Sequence, residues 1–213
     1  MIARRLAQLG CAVVLAAATT LVGALPAGAH SRHHMPGTTS LAMLLAKDGS
    51  GFDRNPNDFD IADNAVRAVL QAKPNSPVAV LANGSVALTA FLPTDRAFRS
   101  LARDLTGSSA RSEAAVFSTL ASTLGVDTIE SVLLYHVVPG ATITYRTAVR
   151  SNGAVLSTAL AGSTLTVKVR CRSVSLVDAD PNDANPRVVR RDLNKGNLQI
   201  AHGISQVLRP ADL

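Results

Sequence analysis

The sequence predicts an α+β fold, in which helices lie mainly in the first half of the chain and pack against a strand-rich second half. Two observations carry this prediction. Before Pro139 and Gly140, apolar residues recur mostly three and four positions apart, as in amphipathic helices. After that pair they alternate with polar residues, as in strands with one buried face. Because the two kinds of segment are grouped rather than alternating, the pattern favours α+β over a parallel α/β sheet.

The first half contains several helical segments and one strand. The run at 86–92 predicts a buried strand that ends at Pro93. One helix is expected to stop at Gly125, after which Asp127 and Glu130 fit the start of another helix. The predicted helices cover 41–46, 64–72, 97–105, 116–124 and 127–134.

The second half contains the strands. Leu165, Val167 and Val169 alternate with polar residues, so the apolar residues stand at odd-numbered positions. The next apolar residues of the pattern, Val174 and Leu176, stand at even-numbered positions. This change predicts a hairpin turn or bulge at 171–173. The last strand candidates are 188–189, 198–200 and 204–208.

The first 29 residues have the pattern of a secretory signal peptide. Arg4 and Arg5 give a positive start, residues 11–25 form an apolar run, and the sequence AGA at 27–29 offers a cleavage site. No later run approaches the roughly 18 apolar residues that a membrane-spanning helix needs. We therefore expect a secreted, extracellular protein, free or associated with the cell surface, with no integral membrane segment after cleavage.

The chain that follows the signal peptide divides into a tail and one domain. Residues 30–40 are polar and rich in chain breakers, so we expect a flexible tail containing His30, His33 and His34. Residues 41–213 have the length of a single domain. After cleavage Cys171 is the one remaining cysteine, which excludes an internal disulfide and favours a monomer held by packing.

The charge balance favours anionic partners. Lysine and arginine total 21 against 15 acidic residues, and arginine predominates, which with the many alanines and valines suggests a GC-rich bacterial genome. No basic run is interleaved with aromatic residues, so nucleic acid is not indicated. An anionic polysaccharide or an acidic cell-surface or matrix protein fits the charge better.

A basic patch is predicted on the strands of the second half. Lys168, Arg170 and Arg172 share one strand face, and Arg190 and Arg191 follow soon after, together with Arg187. If the strands pair, these side chains form one surface that binds an anionic polymer. The alternative is an ordinary solvated strand face with no partner.

Two loops rich in Asp and Asn, at 49–60 and 178–186, were compared with calcium-binding loops. Asp178, Asp180 and Asn182 have the first three spacings of an EF-hand, but Asp183 stands where glycine is needed and no glutamate follows at position twelve. The first loop fails in the same way. Asx side chains that cap their own turns account for both loops, so we predict no metal site and no cofactor, and a looser calcium site is the alternative.

Signatures of enzymes are missing from the sequence. It has no G-x-S-x-G, H-E-x-x-H or phosphate-binding glycine motif. The domain contains two histidines, His136 and His202, and nothing beside them nominates a nucleophile. We therefore expect a protein that is not an enzyme, with a hydrolase as the least favoured alternative.

Three segments taken together resemble fasciclin domains. They are TAFLPTDRAF at 89–98, LLYHVVPG at 133–140 and IAHGISQVLRP at 200–210, in that order, with STLTVKV at 163–169 between the last two. The resemblance covers nearly all of 41–213 as one copy and implies a fasciclin-like fold with a β-wedge. One residue departs from the family pattern, since Ser205 stands where an Asp is usual.

The resemblance implies a function as an extracellular adhesion or cell-surface interaction module. In animal relatives the Tyr-His segment has been linked to receptor binding, which nominates Tyr135 and His136 here. Their apolar surroundings equally suit a structural role. The alternative function is a small-ligand carrier with a pocket beside this segment.

Overall fold

The computed structural model describes residues 35–48, 51–108 and 110–212. The predicted signal peptide and the three histidines of the tail lie outside these residues. None of the helices in the described ranges combines the length and apolarity needed to cross a bilayer.

Strands in the described part of the chain form two sheets. The larger has the order β2–β1–β7–β6 and the smaller has the order β3–β4–β5. The strands are β1 (Leu88–Pro93), β2 (Val137–Pro139), β3 (Val155–Ser157), β4 (Thr164–Arg170), β5 (Ser173–Val177), β6 (Val188–Leu193) and β7 (Gln199–Ile204).

The larger sheet is built around two fully buried strands. Strand β1 pairs in parallel with β7, from Leu88 opposite Gln199 to Pro93 opposite Ile204, although more than a hundred residues separate them. Every residue of both strands is buried, as expected for central strands. The strand predicted within the helical half is therefore the centre of the sheet formed by the second half.

Five α-helices lie in the described part of the chain. They are α1 (Leu41–Leu45), α2 (Asp60–Ala72), α3 (Asp95–Thr106), α4 (Glu113–Tyr135) and α5 (Tyr145–Ala148), and short 3-10 turns occupy Ala46–Asp48 and Pro77–Ala82. Helix α4 is broken at Gly125, whose φ of 72° and ψ of 166° are not helical. This break confirms the stop predicted there, because a residue without Cβ adopts positive φ without strain. The α+β class is confirmed.

Side chains that alternate along β1 divide the core. Leu88, Ala90 and Leu92 pack with α1 and α2, whereas Phe91 packs with the smaller sheet. A further apolar cluster joins α2, α3 and α4. The core thus links both sheets to the helices through one strand.

The last residues of the predicted tail are hydrogen-bonded to the domain. The backbone of Gly37 donates to the Gly196 carbonyl (2.7 Å) and accepts from the Leu198 amide (2.9 Å). The Thr39 amide donates to Oδ1 of Asn197 (2.9 Å). Backbone hydrogen bonds to the domain are therefore already present at Gly37, four residues before the predicted domain start.

Candidate functional site

The hairpin between β4 and β5 forms one rim of a surface groove. Cys171 and Arg172 make its two-residue turn, with φ angles of 49° and 62°. Two left-handed residues match the right-handed twist of the flanking strands. The predicted turn at 171–173 is confirmed, and it leaves the side chains of Cys171 and Arg172 exposed.

Helix α5 forms the opposite rim. Its start is fixed twice, because Oγ1 of Thr144 accepts from the Thr147 amide (3.2 Å) and Oδ1 of Asp192 accepts from the Tyr145 amide (2.6 Å). The helix and its last turn present Arg146 and Arg150 to solvent. Asp192 belongs to β6, so this contact sets the helix against the sheet.

We name the concavity between these rims the arginine groove. It is open, has a volume of about 800 Å³, and is also lined by Tyr145, Val149, Cys171, Ser173 and Val188. Its arginines are Arg146, Arg150, Arg172, Arg187 and Arg191.

Tyr145 forms the base of the arginine groove. The side chain is buried, and its hydroxyl donates to the Arg172 carbonyl (2.7 Å). The guanidinium carbon of Arg191 lies 4.0 Å from the centre of the ring, which is a cation–π contact. Tyr145 therefore joins α5, the hairpin turn and β6, and it orients one of the five cations.

The positive charge of the groove has no acidic partner among the described residues. Of the five arginine side chains, Arg187 donates to Oγ of Ser173 (3.3 Å) and Arg191 stacks on Tyr145. No ion pair within the described ranges involves any of the five. Like charges held together at a surface without counter-charges produce a positive potential that attracts anions.

The structure divides the predicted basic patch. Arg172 and Arg191 line the groove, but Arg170 and Lys168 lie on the outer face of β4, away from it. Arg190 points elsewhere, because successive residues of a strand face opposite sides.

Arg190 is instead bound to the loop before α2. Its guanidinium lies 5.3 Å from the centre of the Phe59 ring, and Nη1 donates to the Asn57 carbonyl (3.1 Å). The prediction of one patch containing both Arg190 and Arg191 is corrected on this point.

Sequence reasoning missed Arg146 and Arg150 as members of the site. Their spacing of four residues is the signal that a helix would place them on one side. A helix of four residues is too short to show an apolar period, so the pattern did not reveal it.

The Tyr-His segment lies at the end of α4 and is buried. Tyr135 is 0% exposed and its hydroxyl donates to the Thr164 carbonyl (3.0 Å). Burial first, and the nearby Asp178 second, raise the pKa of Tyr135 to about 12. The hydroxyl thus ties the helix to the smaller sheet in its neutral form.

His136 is bound on both ring nitrogens. Nδ1 donates to the Val132 carbonyl (2.7 Å) and Nε2 accepts from the Leu208 amide (2.9 Å), which fixes the neutral tautomer. Burial lowers the pKa of His136 to about 4. In this conformation neither Tyr135 nor His136 offers an atom to a partner, so we leave both out of the candidate binding surface.

The comparisons with known proteins agree with this architecture. The Fasciclin domain profile matches residues 63–210, which is more than half of the chain. The chain belongs to the fasciclin domain family. No curated protein matches the sequence.

A solved structure shows the same fold. It is a FAS1 domain pair from the insect cell adhesion molecule Fasciclin I, with 17% sequence identity and a TM-score of 0.54. The match covers 81% of this chain and 51% of that one, so the present chain corresponds to about half of the pair. Fasciclin domains are generally adhesion modules rather than enzymes, and they occur in secreted or cell-surface proteins.

The closing signature of this fasciclin domain holds β6 in place. Oγ of Ser205 accepts from the Arg187 amide (3.0 Å), and the Ser205 amide donates to the Arg187 carbonyl (3.0 Å). His202 donates from Nε2 to the Ile143 carbonyl (2.8 Å) and accepts at Nδ1 from the Asp192 amide (3.2 Å). Burial lowers its pKa. Serine at the position of the family's Asp therefore supports the strand that carries Arg187.

The second acidic loop is held by Arg209. Its guanidinium pairs with Asp104 (2.8 Å), Asp183 (3.0 Å) and Asp180 (3.3 Å). Asp180 also accepts from the Asn182 amide (2.9 Å), as predicted for an Asx turn. The positive charge of Arg209 therefore compensates negative charge in this loop.

An apolar cavity of about 50 Å³ lies beside His136, lined by residues such as Leu92, Phe98, Leu101 and Leu120. Cavities that bind benzene in proteins are larger, about 150 Å³. The observed volume therefore does not favour the small-ligand carrier.

Proposed function

We propose that this fasciclin domain is a secreted extracellular adhesion module that binds an anionic polysaccharide through the arginine groove. The observation that carries the proposal is the convergence of five arginines around one open concavity without an acidic partner in the described ranges. They come from α5 and the turn after it, from the β4–β5 turn, and from β6 and the residue before it. Exposed cations spaced along a groove suit a chain of repeated carboxylate, sulfate or phosphate groups.

The signal peptide predicted at 1–29 supports export, and the family supports an extracellular adhesion role. An acidic cell-surface or matrix protein is the other partner class that the charge admits.

A matched pair of variants tests the proposal. The groove variant carries Arg146→Gln, Arg150→Gln and Arg172→Gln, whose side chains make no hydrogen bonds within the described residues. The control variant carries Arg54→Gln, Arg96→Gln and Arg111→Gln, which are also exposed but lie elsewhere. Both lose three positive charges, so any difference between them reports position rather than net charge.

The measurement is retention of labelled residues 30–213 on a carboxylated or sulfated polysaccharide, on a neutral one, and on isolated cell envelope, across a salt series. We expect retention on the anionic polymer that falls steeply with salt, because exposed charges are screened beyond about 8–10 Å near physiological ionic strength. Since exposed ion pairs contribute about 0.2–1 kcal/mol each, the groove variant should bind roughly tenfold more weakly.

The proposal fails if the groove and control variants bind equally well, or if retention is insensitive to salt. Binding to envelope that survives digestion of its polysaccharide but not of its protein would assign the groove to an acidic protein instead.

A further inference from the structure

Three helices begin around a group of buried acids on the side of the molecule where α2, α3 and α4 meet. Carboxylate oxygens of Asp58, Asp95 and Glu113 lie within 4.8 Å of one another. Their exposed fractions are 3%, 0% and 0%. We name these three residues the carboxylate cluster. Asp95 and Glu113 are the first residues of α3 and α4, and Asp58 comes just before α2.

Two members of the carboxylate cluster are held in place by the protein. The two oxygens of Asp95 accept from the amides of Asp60 (3.3 Å) and Ile61 (3.0 Å) at the start of α2. Those of Glu113 accept from Arg99 (2.9 Å) and from the Asp53 amide (2.8 Å). Each carboxylate oxygen can accept a second interaction, so both residues are oriented without being saturated.

Asp58 differs from the other two. Within the described ranges no N–H or hydroxyl group donates to either of its carboxylate oxygens, although both are buried, and their hydrogen-bonding neighbour is the Asp95 carboxyl group. Leaving a buried polar group without a partner is costly, and more so when it is charged. The backbone nevertheless fixes Asp58 in this position, since its carbonyl accepts from the Asp95 amide (3.2 Å). Either a proton shared with Asp95 or a bound cation must therefore compensate these oxygens.

If all three acids are ionised, the protein supplies less positive charge to the carboxylate cluster than the cluster carries negative charge. Arg99 supplies one positive charge to Glu113. The starts of three helices add partial positive charges, each about half an elementary charge. Burial first, and a side-chain hydrogen bond with Asp58 second, raise the pKa of Asp95 to about 8, as expected when two carboxyl groups share a proton.

We propose that Asp58, Asp95 and Glu113 bind a hard divalent cation, Ca²⁺ or Mg²⁺, which closes the 51–59 loop onto the starts of α3 and α4. A ligand set made only of oxygens, with carboxylates prominent among them, is what such ions prefer. The sequence comparison with an EF-hand could not reveal this site, because its ligands come from three separated segments rather than from one loop.

The test is thermal unfolding and calorimetric titration of residues 30–213, first stripped with a chelator and then supplied with CaCl₂ or MgCl₂. Ligand at about 100 times its Kd should raise Tm by roughly 5 °C or more for a domain of this size. Asp58→Asn keeps the size of the side chain and removes a ligand charge, so it should abolish both the shift and the heat of binding. Asp127→Asn, an exposed acid that pairs with Lys73, is the matched control and should retain both.

The outcomes are distinguishable without relying on one variant. If the stripped wild-type protein shows no shift and no heat with either ion, Asp58 and Asp95 share a proton only, and the proposal is overturned. It is also overturned if Asp58→Asn binds as tightly as wild type. Ca²⁺ and Mg²⁺ measured separately identify the ion. The arginine groove is not involved, so this result is independent of the proposed adhesion role.

Discussion

The Tyr-His segment is conspicuous in the sequence and the complete arginine groove is not, yet the first is buried in the structure and the second is exposed. Tyr135 and His136 are buried, and every polar atom of their side chains is bound inside the domain. The groove arginines are exposed and lack acidic partners in the described ranges. The difference teaches that the family's signature residues maintain the fold here, whereas the residues free to meet a partner come from less conspicuous positions.

The largest expected effect comes from removing the His136 side chain. His136→Ala leaves the Val132 carbonyl and the Leu208 amide without their buried partner and opens a space in the core. We expect a loss of roughly 3 kcal/mol in the free energy of unfolding, measured in urea. A loss below about 0.5 kcal/mol, the range typical of surface substitutions, would contradict the structural role.

The unfolding free energy of the wild-type protein should also depend on pH because of His136. The pKa of His136 is about 4 in the fold and 6.5 in the unfolded chain, so the unfolded state binds more protons between these values. Its contribution is therefore complete above pH 6.5 and is lost as the pH falls toward 4, by roughly 3 kcal/mol in total.

The matching variant isolates this contribution. His136→Gln cannot titrate, so its unfolding free energy should depend less on pH in the same window than that of wild type. A residual slope of the same sign is expected from His202, whose pKa is also lowered by burial. If the unfolding free energy depends on pH equally in wild type and in His136→Gln, His136 does not cause the loss of stability in acid.

The smallest effect is expected for Tyr135→Phe. The change removes one hydroxyl that donates to the Thr164 carbonyl and keeps the ring in the core. We expect a loss of about 1 kcal/mol in the free energy of unfolding, measured in urea. An unchanged midpoint would mean that the hydroxyl does not help to hold α4 against the smaller sheet.

The sequence predicted most local features of the fold. The α+β class, the stop at Gly125 and the turn at 171–173 were all visible, because each depends on nearby residues: a period, a glycine or a change of parity. The position of β1 in the centre of the sheet was not visible, since its pairing with β7 depends on contacts between distant segments. The apolar run around Tyr135 indicated that this side chain could be buried.

The candidate sites were harder to predict, because they are assembled from distant segments. Arg190 and Arg191 are neighbours in sequence, yet they face different sides of β6. Arg146 reaches the arginine groove from α5, which is a separate segment of the chain. Likewise Asp58, Asp95 and Glu113 come together only where three helices begin. The spacing of these residues along the chain therefore does not predict that they lie together, either in the arginine groove or in the carboxylate cluster.

The most direct test of the central claim compares the affinities of wild type, Tyr135→Phe and the groove variant for one anionic polysaccharide at fixed salt, with Tm recorded for each protein. We predict that Tyr135→Phe binds as wild type despite a lower Tm, and that the groove variant binds more weakly with an unchanged Tm. Loss of binding in Tyr135→Phe together with wild-type binding in the groove variant would contradict this account and assign the contact to the Tyr-His segment.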